Sequence, residues 1–347
     1  MTELLGISSK YYQFCVYPAG YDPFRELTDS LSLLSLKSGS NERRWVVDSV
    51  LLPILQATDR PDFIKEDDDC FAIAGELRDE YKIPPEKWLN FVRLLCGCRQ
   101  LPLILLQNPS NYHWKSYEEM IQCYTIDYIS QLLKKYSLSL EQVSILDVCS
   151  LFSDDDLKAM DDAKRWKAIQ DAYNVTEKIL ASIKPKIIIS CQCVTLGTYD
   201  NDGKEIWKRA ENKVVRQLCS KVKDAKEKRA TLIDIQGHGV WVIKGFHPRH
   251  ISFDSSKEPV LEGLFEDVFE PCRLWRNRLV VAKLRKMIAK TTAQILKLEV
   301  WRSELEPIFL HETLTKLTSN QITELARFRD QLKVLVQDME SAGSGTV

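Results

Sequence analysis

Four short stretches of this chain carry the side chains best suited to chemistry. Gln107-Asn108-Pro109-Ser110 leads into Tyr112, His113 and Trp114. Asp147 is followed by Ser150 and Phe152, Cys191-Gln192-Cys193 stand together, and His247-Pro248-Arg249-His250 closes the set. Polar, rigid and aromatic groups are concentrated there although the stretches lie far apart in sequence. A metal-dependent hydrolase is one reading, because His247 and His250 have His-x-x-His spacing and His238 is nearby. No Cys or carboxylate beside them completes a zinc site, so no metal is expected. Cys96-Gly97-Cys98 and Cys191-Gln192-Cys193 are C-x-C, not the C-x-x-C of structural zinc sites, and read as buried thiols. The acidic runs Glu66 to Asp69 and Asp154 to Asp156 lack an ordered ligand spacing and read as solvated surface. There is no Walker loop, G-x-G-x-x-G or G-x-S-x-G.

The four stretches each follow a short apolar run: Leu101 to Leu106, Ser144 to Val148, Lys186 to Ser190 and Val240 to Phe246. Runs that are apolar on both faces and alternate with helical stretches predict a parallel sheet covered on both sides. The helices are expected at Ser116 to Lys135, Asp161 to Ser182 and Ala210 to Lys228. Thr231 to Ile235 and Gln236-Gly237-His238-Gly239 suggest a hairpin into the last strand. The expected fold is therefore α/β, a three-layer α/β/α sandwich with a short, mostly parallel sheet over 100–270. In an open parallel sheet, ligands bind outside the carboxyl ends of the strands, which is where all four stretches fall. A mainly helical region is expected over 1–99, with Pro84-Pro85 opening one helix. A helical extension follows over 271–340, with stripes at Val281, Leu284, Ile288, Ile295, Leu298 and at Ile322, Leu325, Phe328, Leu332, Leu335, Met339. Thr318 and Gln321 read as a capping box, and 341–347 as a disordered tail.

The order of these loops resembles the uracil-DNA glycosylase superfamily, whose members place an Asn-Pro or Asp-Pro loop after the first core strand and a His-Pro loop after the last. Gln107-Asn108-Pro109-Ser110 is similar to its G-x-N-P-G loop, and His247-Pro248-Arg249-His250 to its H-P-S-P loop. The stretch Ser182 to Ser190, with Lys184-Pro185-Lys186 before an aliphatic run, resembles its third-strand entry. The resemblance covers roughly 100–255. It departs at Gln107 and Ser110, where glycines are usual, and at Arg249, where serine is.

The resemblance implies DNA binding and hydrolysis of the bond between an altered base and its sugar, with no cofactor. Asn108 would position the water, and His247 would donate to the leaving base. Pro248, Arg249 and His250 would wedge into the duplex as the base flips, while Tyr112 or Phe152 stacks on it. Where the uracil-excising branch has an Asn after its second strand, this chain has Asp147. A carboxylate only accepts hydrogen bonds, so it would favour an amino-bearing ring, unless Asp147 simply caps the next turn. The rival reading is a non-catalytic protein of the same fold that binds nucleic acid or, through its C-terminal helices, a protein partner. The three departures favour it.

The 347 residues include 48 basic and 49 acidic side chains, 44% apolar and 28% charged residues. That composition excludes wholesale disorder, and no run of about 18 apolar residues exists to span a bilayer. Scattered cysteines and no visible secretory signal suggest an intracellular protein, nuclear or cytoplasmic. A net charge of −1 gives no global field for nucleic acid, so binding needs a local basic surface. Arg273 to Lys297 supplies eight basic residues and no acidic ones, and Lys204 to Arg229 ten against four. Arg273, Arg276, Arg278, Lys283 and Lys286, interleaved with Trp275, suit contact with the DNA backbone, or else pair with the acidic stretch Glu262 to Glu270.

Overall fold

The computed structural model describes residues 41–192, 198–199, 205–207, 210–305 and 312–344. Expectations for 1–40 and for Cys193 lie outside these residues. Asn41–Val347 forms one compact unit.

The helical N-terminal part comprises α1 (Glu42–Val46), a π-helical turn (Val47–Leu51), α2 (Leu52–Ala57), α3 (Asp69–Tyr81) and α4 (Pro85–Leu95). Pro85 opens α4 at a position where no N–H is needed. These helices are not a separate layer of the molecule, because their apolar faces enter the same two cores as the sheet. Buried Arg43 anchors the first of them, donating to the Ala225 carbonyl at 2.7 Å and pairing with Asp267 at 3.2 Å.

The sheet contains β1 (Leu103–Leu106), β2 (Ile145–Asp147), β3 (Ile187–Ser190), β6 (Ala230–Ile235) and β7 (His238–Lys244), in the order β2-β1-β3-β7-β6. A separate small ribbon pairs β4 (Thr198–Tyr199) with β5 (Glu205–Trp207). In the main sheet β2, β1, β3 and β7 are parallel, and β6 is antiparallel to β7. Gln236 and Gly237, both at positive φ, close that hairpin as the sequence suggested. Two longer helices make crossovers: α5 (Tyr124–Lys135) leads from β1 to β2, and α6 (Asp162–Ile183) leads back past β1 to β3. The strand order therefore reverses between β1 and β3, a topological switch point. The expected helices at Ser116 to Lys135 and Ala210 to Lys228 are each broken, the latter leaving α7 (Lys213–Leu218) and a short turn of helix at Val222–Lys226.

Each strand of β1 to β3 is buried on both sides, and the pleat divides its side chains between two cores. Leu103, Leu105 and Ile188 meet α3, α4 and α6; Ile104, Ile187 and Ile189 meet α1, α5 and the long helix α9 introduced below. Complete burial of such a side chain contributes about 1.5–3 kcal/mol. One small residue is sterically required at the entry to β1. A Cβ on Gly97 would stand 2.1 Å from the Ser144 backbone nitrogen, so the Cys96-Gly97-Cys98 motif exists for close backbone approach between α4 and β2.

After β7 come the short α8 (Arg249–Phe253) and then α9 (Glu258–Leu305), 48 residues long, and α10 (Glu312–Ser344). The first part of α9 is core: Leu261, Leu264, Phe265, Val268, Phe269 and Cys272 are fully buried. Pro271 lies inside this helix, removing one i to i−4 hydrogen bond. Beyond Trp275 the helix leaves the sheet, and α10 folds back along it as an antiparallel coiled coil. The seam runs in heptad steps through Val281, Leu284, Ile288, Thr291 and Ile295 of α9, and Thr318, Leu325, Leu332, Val336 and Met339 of α10. This corrects the expected second stripe, since Phe328 and Leu335 are exposed. Thr318 lies within α10, past its first turn, and the helix runs to Ser344, into the expected tail.

Candidate functional site

The register places the predicted loops with useful accuracy. Leu105 pairs with Ser190, and Ser190 with Lys244, so these three form one row across β1, β3 and β7. Asn108 and His247 each lie three residues beyond that row, on strands two spacings apart, roughly 10 Å. Leu106 pairs with Asp147, so β2 ends at the same edge. Asn108, Asp147 and His247, spread over much of the sequence, thus meet at the carboxyl edge beside the switch point.

Within the edge they differ. Half-buried Asn108 donates from Nδ2 to Asp154 Oδ1 at 3.1 Å, which holds the amide and leaves its Oδ1 to accept from a water. Asp154 opens the short helix Asp154–Lys158, capped by Ser153 in a capping box with Asp156. That Ser-x-x-Asp spacing was the available sequence signal for Asp154, and reading the run as plain solvated surface missed it. Half-buried His247 accepts at Nδ1 from the Arg249 backbone N–H at 3.2 Å, so its ring proton belongs on Nε2. Burial, with His250 and Arg249 nearby, pushes this imidazole down to about 4 and keeps it neutral near pH 7. Pro248 is buried, Arg249 exposed and His250 half-buried, its ring 6.3 Å edge-on from Phe246. Tyr112 and Trp114 are exposed, with Lys115 Nζ 4.8 Å and 5.8 Å from their ring centroids.

Other expected site residues serve the fold. Phe152 is buried and packs edge-on against Tyr81 at 5.0 Å, so it is a core ring with no face for a base. Asp147 is buried too. Its side chain caps no turn, and among the described residues its Oδ1 has no hydrogen-bond partner. It lines a cavity of about 10 Å³, room for one water, closed by Lys87, Phe91 and Leu94 of α4 together with Pro109 and His113. A nucleobase does not fit there. Burial pushes the Asp147 carboxyl up to about 7, so near neutral pH it is partly a neutral acid and donates as well as accepts, unlike the acceptor-only group expected. Burial and the Lys87 ammonium push His113 down to about 4. Lys87 pairs with Asp156, and Asn90 donates to the His113 and Lys115 carbonyls at 2.8 and 2.9 Å, pinning the first loop onto α4.

The basic helix lies elsewhere. α9 starts near the His247 loop and runs back toward the amino ends of the strands, where Cys272 lies close to Cys98 just before β1. Trp275 donates to the Thr58 carbonyl at 3.0 Å. Arg276, Arg278, Lys283 and Lys286 therefore lie at and beyond the opposite edge from Asn108. Arg278 also has an internal task, donating to the Leu55 carbonyl at 2.7 Å and so capping α2, and Arg273 pairs with Glu270. Arg273 thus follows the expected alternative of pairing with the acidic stretch, and Arg278, still exposed, has a carbonyl partner besides. In the second basic stretch Arg229 pairs with Glu42 and Glu227. The three-histidine reading fails on geometry: His238 opens β7 and sits a strand length from His247, about 20 Å, and no group of metal-ligating residues gathers among the described residues. No described helix is long and apolar enough to cross a membrane.

No protein-family profile matches this chain, and no curated protein matches its sequence significantly.

Proposed function

We propose that the protein binds DNA and hydrolyses the N-glycosidic bond of an altered base flipped between the β1 and β7 loops. The observation that carries this reading is the pairing, across the switch point, of an amide held to accept from water with a neutral imidazole whose Nε2 bears the proton. Water held by Asn108 attacks the sugar carbon, a C–O bond forms, the C–N bond breaks and the electron pair leaves with the base. A neutral imidazole with so low a pKa acts as a hydrogen-bond donor to that developing anion, and does not itself transfer a proton. Asp154, bonded to Asn108, takes the proton that the attacking water releases, and the departing base anion is protonated by solvent. Exposed Arg249 is the cation placed beside His247 for phosphate contact.

A second reading, a non-catalytic protein of this fold, has its own support. The cavity at Asp147, about 10 Å³, is too small for a base, and Asp154, Asp155 and Asp156 make part of the edge acidic. Oligonucleotides carrying one uracil, hypoxanthine or modified cytosine, incubated with protein and then cleaved at abasic sites, separate the two. Activity is expected in the wild type, with a loss of roughly 10²–10³-fold in His247→Ala. Because Asp147 is buried at a cavity too small for a base, Asp147→Asn leaves base preference unchanged. No abasic product from any substrate would leave the second reading standing.

A further inference from the structure

The coiled coil formed by α9 and α10 has two unlike sides. On one, Arg285 pairs with Glu340 across the seam. On the other, Met287 and Trp301 of α9 and Phe328 and Leu335 of α10 are 37%, 58%, 43% and 46% exposed. Met287 and Trp301 lie two heptads apart, and Phe328 and Leu335 one heptad apart. Each immediately precedes or follows the seam on the same flank, so an antiparallel pair brings all four onto one face. The seam alone does not explain why this face is apolar.

Charges flank that face in a definite pattern. Along α9 the outer row at heptad spacing is Lys283, Lys290, Lys297; along α10 it is Glu324, Gln331, Asp338. All six are exposed, and among the described residues none makes an ion pair. Because the helices are antiparallel, Lys283 stands level with Asp338, Lys290 with Gln331, and Lys297 with Glu324. Two such faces stacked about a two-fold axis parallel to the helices lay each α9 over the other copy's α10, and each lysine row meets an acidic row at matching levels. A two-fold axis across the helices would instead set lysines against lysines.

We propose that this face binds a second copy of the chain, giving a two-fold dimer in which two hairpins form a four-helix bundle. The face is self-complementary in both apolar content and charge, as such an interface requires. From Val280 to Trp301 it spans about 32 Å by about 20 Å, or roughly 1,300 Å² over both copies, within the size of stable interfaces.

Light scattering on the full chain tests this, with a dimer expected at low micromolar concentration. Lys283→Glu with Lys297→Glu, and separately Glu324→Lys with Asp338→Lys, should each be monomeric, because like charges then meet at both ends. Circular dichroism should match the wild type, since among the described residues none of these side chains has an ion-pair partner to lose. Mixing the two variants should restore a dimer of one copy of each. A monomeric wild type, variants that still dimerise, or a mixture that stays monomeric would each overturn the proposal. Loss of oligonucleotide binding in the Lys283→Glu, Lys297→Glu variant of a monomeric wild type would assign the lysine row to phosphate contact instead.

Discussion

The sheet-centred body and the α9–α10 hairpin are stabilised by opposite means, although one helix belongs to both. In the body, α9 is enclosed on the sheet, with Phe265 and Phe269 fully buried and 5.3 Å apart. In the hairpin the same helix has one partner and one seam, and even its most buried positions, Ile295 and Thr291, keep 5% and 6% exposure. A helix surrounded by a core is held by burial from all sides, whereas a helix with one partner depends on a single row of contacts. The two parts should therefore differ in local stability.

The largest expected effect tests that difference directly. Phe265→Ala should cost about 3–5 kcal/mol and lower protection throughout the body, while Leu332→Ala should cost about 2 kcal/mol and lower protection only in the hairpin. Hydrogen exchange combined with urea unfolding measures both. Equal losses spread over the whole chain would show the two parts to be one cooperative unit.

The next effect belongs to the body alone. Folding raises the Asp147 carboxyl to about 7 from an ordinary value near 4, so between those pH values the native state holds the extra proton and stability falls as pH rises. His247 and His113, both lowered to about 4, work the other way between about pH 4 and 6.5, where the unfolded chain binds more protons. Asp147→Asn should remove this falling contribution, about 4 kcal/mol by pH 7.5, and so steepen the rise that the two histidines give. Urea midpoints across pH 4 to 8 check the sign. Hairpin exchange rates should not follow this titration.

The smallest effect lies where the two regions join. Arg278→Ala removes the donor to the Leu55 carbonyl at the end of α2 and should cost about 1–2 kcal/mol, read as faster exchange in α2 with β1 unaffected.

Much of this was legible in sequence, for identifiable reasons. Strands buried on both faces are written as continuous aliphatic runs, so β1, β2, β3 and β7 and the loops after them could be located from Leu103, Ile145, Ile187 and Val240 onward. Which way a loop residue turns was not legible. Phe152 and Tyr112 are both aromatic and both follow a strand, yet α3 supplies Tyr81 to bury the first, and among the described residues no element covers the second. Asp147 was misread because its surroundings come from α4, some fifty residues earlier. Pairing of Arg273 with Glu270 was foreseeable because the two lie three residues apart, whereas the partner of Arg278, the end of α2, depends on the course of α9. In the hairpin, apolar residues occupy both the seam and the adjoining row, and a one-dimensional pattern merged Phe328 and Leu335 with the seam.

Pro271 gives α9 a mechanical property. It interrupts the hydrogen-bond ladder close to where the helix departs from the sheet, and about 50 Å of helix extends past it. A rod of that length is a lever: a bend of about 5° at its fulcrum sweeps the far tip through about 4 Å, while Glu258, on the other side, stays still. Force applied at the tip is thus felt first at Trp275 and Arg278, which tie the helix to Thr58 and Leu55, then as torque at Pro271, and not at the His247 loop.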